Sequence, residues 1–444
     1  MIDAFINKIL SLEENIPESV FAHARLCLLD YLACAAAGSK LYSEKECAYL
    51  QGIGSETGAS SVIGHNCKTN MQTAALINGI SAHVIELDDG HRIGMIHLGA
   101  PIISALLAVA EKEHISSDDF LSGIVIGYEV AIRLSCAIQP GCKLKGYHAT
   151  GVCGCVGAAM AIGAALHNDF AQMKSTMSTA ITSASGVLEM IEGDTELKPF
   201  NAGNAAMSAV AAAYIGKALF RPPKDALGGK RGFLKVFGDE IKMEYLADFK
   251  KGSYCIDTIY NKPYAACRHT HPSIEAAMRI RNQKGFDINE VVSISVGTYK
   301  LAINGHDHTQ IEGANSAKMS IPYSLAVALV TGKAGLEEYT EQYITNHQIL
   351  DVTSKITVSE VPEFTAVCPQ KRIAEVNVVT RSGSYKARID YPKGEPENPL
   401  TAEEFRQKYN GLMSFAAYPK EQAAKIFDMV YRQEFDIKEL MELL

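Results

Sequence analysis

The chain has 444 residues, a formal net charge of -8, 47% apolar and 21% charged residues, which allows two domains with separate cores and weighs against nucleic acid as a partner, as does the lack of any Lys/Arg-rich block. Its eleven cysteines are scattered without a CxxC pair, which fits a reduced, intracellular (cytoplasmic) protein. The N-terminus carries an early acid, Asp3, and no basic-then-apolar leader, and the most apolar run, 151–166, is too short and too Gly-interrupted to span a membrane.

In chain order, residues 17–38 read as a helix with Pro17 in the first turn and Gly38 as its close. A second, small-residue helix runs over 69–81, with Thr69 and Gln72 as a capping box. Helices follow over 102–112, 117–139, 150–167, 173–191 and 205–220. Cys153 and Cys155 lie in the Gly/Ala run and read as packed small residues. The texture changes after Lys262. Residues 290–297, 355–358, 374–380 and 384–391 alternate as strands, with 381–383 a hairpin turn between the last two. Helical segments are read at 273–282 and 317–330, and Thr401 to Glu404 opens a final helical stretch. The expected architecture is mainly α: a large helical domain (1–262), a smaller α+β domain (263–397) and a helical return to the first domain (398–444).

Chemistry concentrates in few places. The stretch from His83 through Glu86, Asp88, Asp89 and His91 to His97 crowds acids and imidazoles around a Gly-containing turn between two helices. Charged groups are costly to bury unpartnered, so this is a solvated loop, a metal site or an acid/base site; the spacing fits no tight metal signature. His148 precedes the small-residue helix, where the positive helix end favours a neutral imidazole. Lys198 precedes Pro199 and reads as a solvated lysine or an anion clamp. Lys262, Arg268, His269 and His271 cluster where the helical part hands over to the α+β part, either as a basic linker or as an anion site. His306 and His308 read as a surface loop. No GxGxxG, P-loop or GxSxG pattern supports a nucleotide cofactor or a serine nucleophile.

Several of these stretches carry a resemblance. They are Asn78-Gly79 through Asp88-Asp89 to His97-Leu98-Gly99-Ala100, residues 146–151, Lys198 with 202–206, residues 226–233, Lys262-Pro263-Tyr264 through Thr270-His271-Pro272, 321–328 and 390–400. In order and spacing they resemble the MmgE/PrpD family over nearly the whole chain. The resemblance implies a helical domain with an α+β lid, a homodimer, no cofactor and a site between the domains. Position by position, Asp88 and Asp89 resemble the family's DD turn, His97 its catalytic His, and His148, Lys198, His271 and Tyr323 its other site positions. Catalytic roles are expected for His97, His148, Asp88, Asp89 and Tyr323, and substrate binding by Lys198, Lys262, Arg268, His271 and Glu86. Gly90 stands where the family's decarboxylases carry Thr, Glu86 where many members have Asp, and Asn201 where many have His.

The implied substrate is a small di- or tricarboxylate. Its α-proton is weakly acidic, so cations must stand beside the developing enediolate, an imidazole must move the proton, and Tyr323 is expected to serve the leaving hydroxyl. The leading expectation is a dehydratase of the 2-methylcitrate type. The alternatives are an epimerase of the iminodisuccinate type, a cis-aconitate decarboxylase and a non-catalytic helical binding protein.

Overall fold

The computed structural model describes residues 1–13, 16–54, 57–191, 194–250, 252–432 and 435–444. Its longer helices are α1 (Ile2–Glu13), α2 (Glu18–Gly52), α3 (Met71–Val84), α4 (Gly99–Glu113), α5 (Ser117–Ile138), α6 (Ala149–Ala165), α7 (Phe170–Ser183), α8 (Lys198–Lys217), α9 (His271–Arg281), α10 (Ile321–Thr331), α11 (Ala402–Phe415) and α12 (Lys420–Tyr431). Six strands accompany them: β1 (Ser60–Ser61), β2 (Lys68–Thr69), β3 (Val291–Thr298), β4 (Ile356–Glu360), β5 (Ala374–Thr380) and β6 (Ser384–Ile389).

The first half is a layered helical body in which α8 packs on both α3 and α6, with α5 against α6 and α7 against α8. Small residues set the spacing. A Cβ on Gly203 would lie 2.3 Å from the Leu76 carbonyl, and one on Gly157 would lie 2.7 Å from the Gly127 carbonyl. No real side chain fits at such distances, so these helices approach backbone to backbone. The same logic corrects the reading of Gly38. The helix runs through it to Gly52, because Gly38 faces the Ser81 carbonyl of α3 at 1.8 Å from where a Cβ would sit. Gly38 is a packing contact, and its open backbone tolerates the helix interior. The start of α3 also differs from expectation. Asn70 is the cap, accepting from the Thr73 amide, while Thr69 belongs to the two-stranded β1–β2 ladder. The segment expected as one helix over 173–191 stops at Ser183, followed by a short 3-10 turn at Leu188–Ile191.

The second half holds a four-stranded sheet in the order β4-β3-β5-β6. β3 pairs parallel with β4 and antiparallel with β5, and β5 and β6 form the expected hairpin, Val379 opposite Ser384. α9 packs on β5 and β6 and against α10. The Thr401–Glu404 capping box is present, and α11 and α12 lie against α2. Lys408 of α11 donates to Asp30 at 2.5 Å and to the Leu87 carbonyl at 2.7 Å, so the returning helix holds the loop after α3. Among the described residues two helices, α2 and α5, are long and apolar enough to cross a membrane. Most of their apolar windows, 78% and 94%, are buried inside the protein, as core helices of this length would be.

Candidate active site

The helical layers bring one helix C-terminus and three helix N-termini to a common point. Glu86 follows the end of α3, His97 precedes α4, His148 caps α6 and Lys198 begins α8. Together with Lys143, Tyr260, Cys267, Arg268, His269, His306 and Arg372, they line one narrow cavity between the two halves. Helix N-termini favour anions. A larger cavity of about 680 Å³ lies elsewhere, beside the C-terminal residues, and contains none of the clustered acid/base groups discussed below.

The wall from the first half is a hydrogen-bonded set with defined tautomers. Asp88 accepts from His83 Nδ1 at 2.7 Å and lies 3.1 Å from His97 Nδ1. The same His97 nitrogen donates to the Asp89 carbonyl at 2.8 Å. His97 Nδ1 therefore carries the proton, and Nε2 presents a lone pair. His148 is the reverse: Asn201 Nδ2 donates to its Nδ1 at 3.2 Å, so its Nε2 carries the proton. Both rings pack against His83, at centroid distances of 4.7 and 5.9 Å. Burial lowers the His97 pKa to about 4, with Asp88 opposing the shift and Lys262 adding to it. Burial, with His83 and Lys198 nearby, also keeps His148 neutral. At Asp88 burial acts upward, but the two imidazoles outweigh it and hold the carboxylate ionised. His83, Asp88 and His97 offer ligand atoms within 4.8 Å of one another. Among them, the two Nδ1 atoms and one Asp88 oxygen are engaged with each other, while His83 Nε2 and the second Asp88 oxygen have no hydrogen-bond partner among the described residues.

Glu86 is the knot beside this wall. It sits at φ +57°, in the left-handed region that a non-glycine residue occupies only when its surroundings hold it there. Lys198 pairs with its Oε1, and Lys262, fully buried, donates to its Oε2 and its carbonyl, both at 3.0 Å. Burial works against ionisation, but the two ammonium groups hold the Glu86 pKa well below the usual range. Lys318 donates to the Val84 carbonyl at 3.3 Å, placing a further cation at the negative end of α3. Lys198 is thus an ion-paired wall residue rather than a solvated one.

The wall from the second half is built from loops. Cys267 Sγ lies 3.1 Å from His306 Nε2, and His306 Nδ1 donates to the Asn304 carbonyl at 2.8 Å. His306 is therefore buried in the cavity wall, not on a surface loop; the local sequence gives no apolar cue, since Asn304, Gly305 and Asp307 flank it. His269 accepts from Lys143 at 3.3 Å and donates to the Tyr299 hydroxyl at 2.7 Å. Arg372 donates to the Arg92 carbonyl at 3.0 Å, and its Nε has no partner among the described residues. Gly90 pairs through its backbone with Tyr260, and a Cβ there would lie 2.4 Å from the Tyr260 hydroxyl, so only glycine fits.

Of the ten residues expected at the site, His97, His148, Glu86, Lys198 and Arg268 line the cavity. Asp88 and Lys262 stand directly behind them. Three do not reach it. Asp89 accepts from the Leu98 and Gly99 amides at 3.3 and 2.9 Å and from the Tyr128 hydroxyl at 2.6 Å, capping α4 and so setting the height of His97. His271 is fully buried; it accepts from Arg268 at 2.8 Å and donates to the Ala266 carbonyl at 3.1 Å, orienting Arg268. Tyr323 is a core residue on α10 that donates to the Glu338 carbonyl at 2.8 Å and packs on Tyr339. Its helix faces α9, which takes the hydroxyl away from the cavity.

The two halves also match known sequences. Residues 10–246 match the MmgE/PrpD N-terminal domain, and residues 264–433 match the MmgE/PrpD C-terminal domain. The chain belongs to the MmgE/PrpD family. Among curated relatives, a cis-aconitate decarboxylase-like protein, oryM, of Aspergillus oryzae is 27% identical, covering 97% of this chain and 94% of the relative. A cis-aconitate decarboxylase of Aspergillus terreus is 26% identical over 97% and 93%. The human cis-aconitate decarboxylase is 22% identical over 90% and 85%.

Within this MmgE/PrpD chain the cations divide into two groups. Lys198 and Lys262 are committed to Glu86, and Arg268 is committed to Glu395 at 2.9 Å and to backbone carbonyls. Lys143 and Arg372 line the same cavity, and among the described residues neither forms a salt bridge to a carboxylate. The expected basic cluster supplied the committed set. The uncommitted set was missed: Lys143 lies just outside the 146–151 stretch and Arg372 in none of the stretches that carry the resemblance, and their sequence neighbours do not show which cations face the cavity.

Proposed function

We propose that this protein is a lyase that removes an α-proton from a small polycarboxylate, eliminating water as a dehydratase. The carrying observation is the pairing of opposite tautomers: His97 offers an Nε2 lone pair and His148 an Nε2–H to one cavity. In this reading His97 takes the α-proton. Asp88 holds the ring and stabilises the imidazolium that forms. Neutral His148 donates to the developing enediolate oxygen, and the uncommitted Lys143 and Arg372 hold substrate carboxylates. The Cα–H bond breaks, its electrons form the carbon–carbon double bond, and the hydroxyl departs from the β-carbon with a proton. Nothing in these steps requires a cofactor.

A second reading, loss of CO2, is favoured by the curated relatives, which carry the name cis-aconitate decarboxylase. What favours the dehydratase instead is the departure at Gly90 from the Thr that the family resemblance implies for decarboxylases; the Tyr260 ring and the Ile96 carbonyl fill the space beside it. The test is a proton NMR time course in deuterated buffer with 2-methylcitrate, citrate, cis-aconitate and iminodisuccinate. Loss of water from a hydroxy acid, abolished by His97→Asn, is expected. Itaconate from cis-aconitate would replace this reading with the decarboxylase, and deuterium uptake alone with the epimerase. No change in any compound removes the substrate class.

A further inference from the structure

Elimination needs a group to protonate the departing hydroxyl, and the tyrosine expected for that role points elsewhere. His148 serves poorly, because a neutral imidazole giving up its proton leaves an imidazolate. The second wall holds a better candidate. We propose that the Cys267–His306 pair is the cavity's proton donor to the leaving group, His306 holding the proton and Cys267 relaying it, working from the C-terminal half while His97 works from the N-terminal half. This rests on the lyase reading above.

The geometry is that of an activated thiol: nucleophile and base within hydrogen-bond reach, and the base oriented by a third group. Here these are Cys267 Sγ, His306 Nε2 at 3.1 Å, and the Asn304 carbonyl on Nδ1 at 2.8 Å. The thiol is half-buried and both side chains line the cavity. The Cys267 amide is fixed to the Lys318 carbonyl at 2.9 Å, so the loop that carries the sulfur is anchored. The charged and titratable groups facing the pair include Lys143, Lys198, Glu86, Tyr299 and the His269 ring, 5.3 Å from His306. Burial acts to raise the thiol, but His306 and Lys198 outweigh it and bring the Cys267 pKa down to about 6. Burial acts to lower the His306 pKa, but the thiolate outweighs it and raises it.

In the proposed resting state the pair is a thiolate with an imidazolium as its proton reserve, the direction in which each group shifts the other. As the C–O bond breaks, the proton on His306 Nε2 passes to Sγ and from Sγ to the departing hydroxyl, which leaves as water. His97 retains the α-proton, His306 is left neutral, and exchange with solvent resets both. No redox step and no co-reactant is involved.

Two measurements test this. Iodoacetamide labelling of the intact protein from pH 5 to 9, read by peptide mass spectrometry, should show Cys267 alkylation rising through about pH 6. The inflection should move above about 8 in His306→Gln, the range of an unassisted thiol. An inflection of wild-type Cys267 above about 8 overturns the ion pair, whatever the substrate proves to be. The second measurement is Cys267→Ser turnover of 2-methylcitrate. A fall in kcat of about 100-fold, with KM within about threefold and exchange of the α-proton with deuterium retained, is expected. Wild-type kcat in a folded Cys267→Ser protein overturns the role of proton donor. If wild-type protein turns over none of the tested acids, the lyase reading fails while the labelling result still decides the pair.

Discussion

Two histidines share one cavity and are driven in opposite directions. His97, on the helical wall, is lowered to about 4 by burial; His306, on the loop wall, is raised despite burial. The difference lies in the partner. Asp88 is divided between His83 and His97 and also lies 3.9 Å from Lys262, so no single imidazole receives its full charge. Cys267 faces His306 alone within hydrogen-bond distance. Desolvation disfavours the charged form of any imidazole, and a nearby anion reverses it only where its attraction exceeds that cost. One wall thereby favours neutral imidazoles, and the other favours the charged form of His306.

The most damaging change should be His97→Asn, with a loss in kcat of about a thousandfold or more, measured by NMR turnover of whichever acid proves to be the substrate. Unchanged kcat would remove the helical wall from the chemistry. Wild-type kcat/KM should keep its acid limb near pH 4: a base must be unprotonated, so activity falls as pH drops through its pKa, and a limb near 6.5 would contradict the effect of burial.

Next in size is Glu86→Gln. It strips Lys198 and Lys262 of their carboxylate inside the protein, and removing one partner of a buried pair costs about 3–5 kcal/mol. Urea unfolding should read that loss. A change under about 1 kcal/mol would mean that the knot is relieved by water. Arg372→Gln should leave stability nearly intact and raise KM about tenfold or more, since a charge-assisted hydrogen bond contributes about 1.5–3 kcal/mol. A kcat effect without a KM effect would contradict a carboxylate-holding role.

The smallest change expected is Asn201→Ala. It frees His148 to take either tautomer, and loss of such an orienting partner typically costs about tenfold or more. Nitrogen NMR of the imidazole should show mixed tautomers. A pure Nε2–H form in the variant would mean that another group sets it.

What the residues announced and what they concealed follow from locality. The Asp88–Asp89 turn and the Lys262–His271 cluster stood out because their chemistry is contiguous. The strands over 374–380 and 384–389 and the box at Thr401 were legible because period and cap are local signals. Tyr323 shows the limit: a motif can place a residue on the right helix without saying which way the ring points. Gly38 is similar, since a helix-ending residue and a close-packing residue look the same until the facing carbonyl is known.

The sequence by itself determined the family and the helical and α+β halves, and it singled out His97, His148 and Glu86 as candidates, because each rests on short-range pattern or on motifs retained in order. Only the tertiary structure decided that Lys198 and Lys262 are spent on Glu86, that Lys143 and Arg372 are not, and that His306 faces Cys267. Those are questions of which charges meet, and the residues concerned lie as much as 112 and 176 positions apart for the Glu86 knot and 39 for the thiol pair. Helix packing set by small residues brings them within reach, and burial then makes each meeting count.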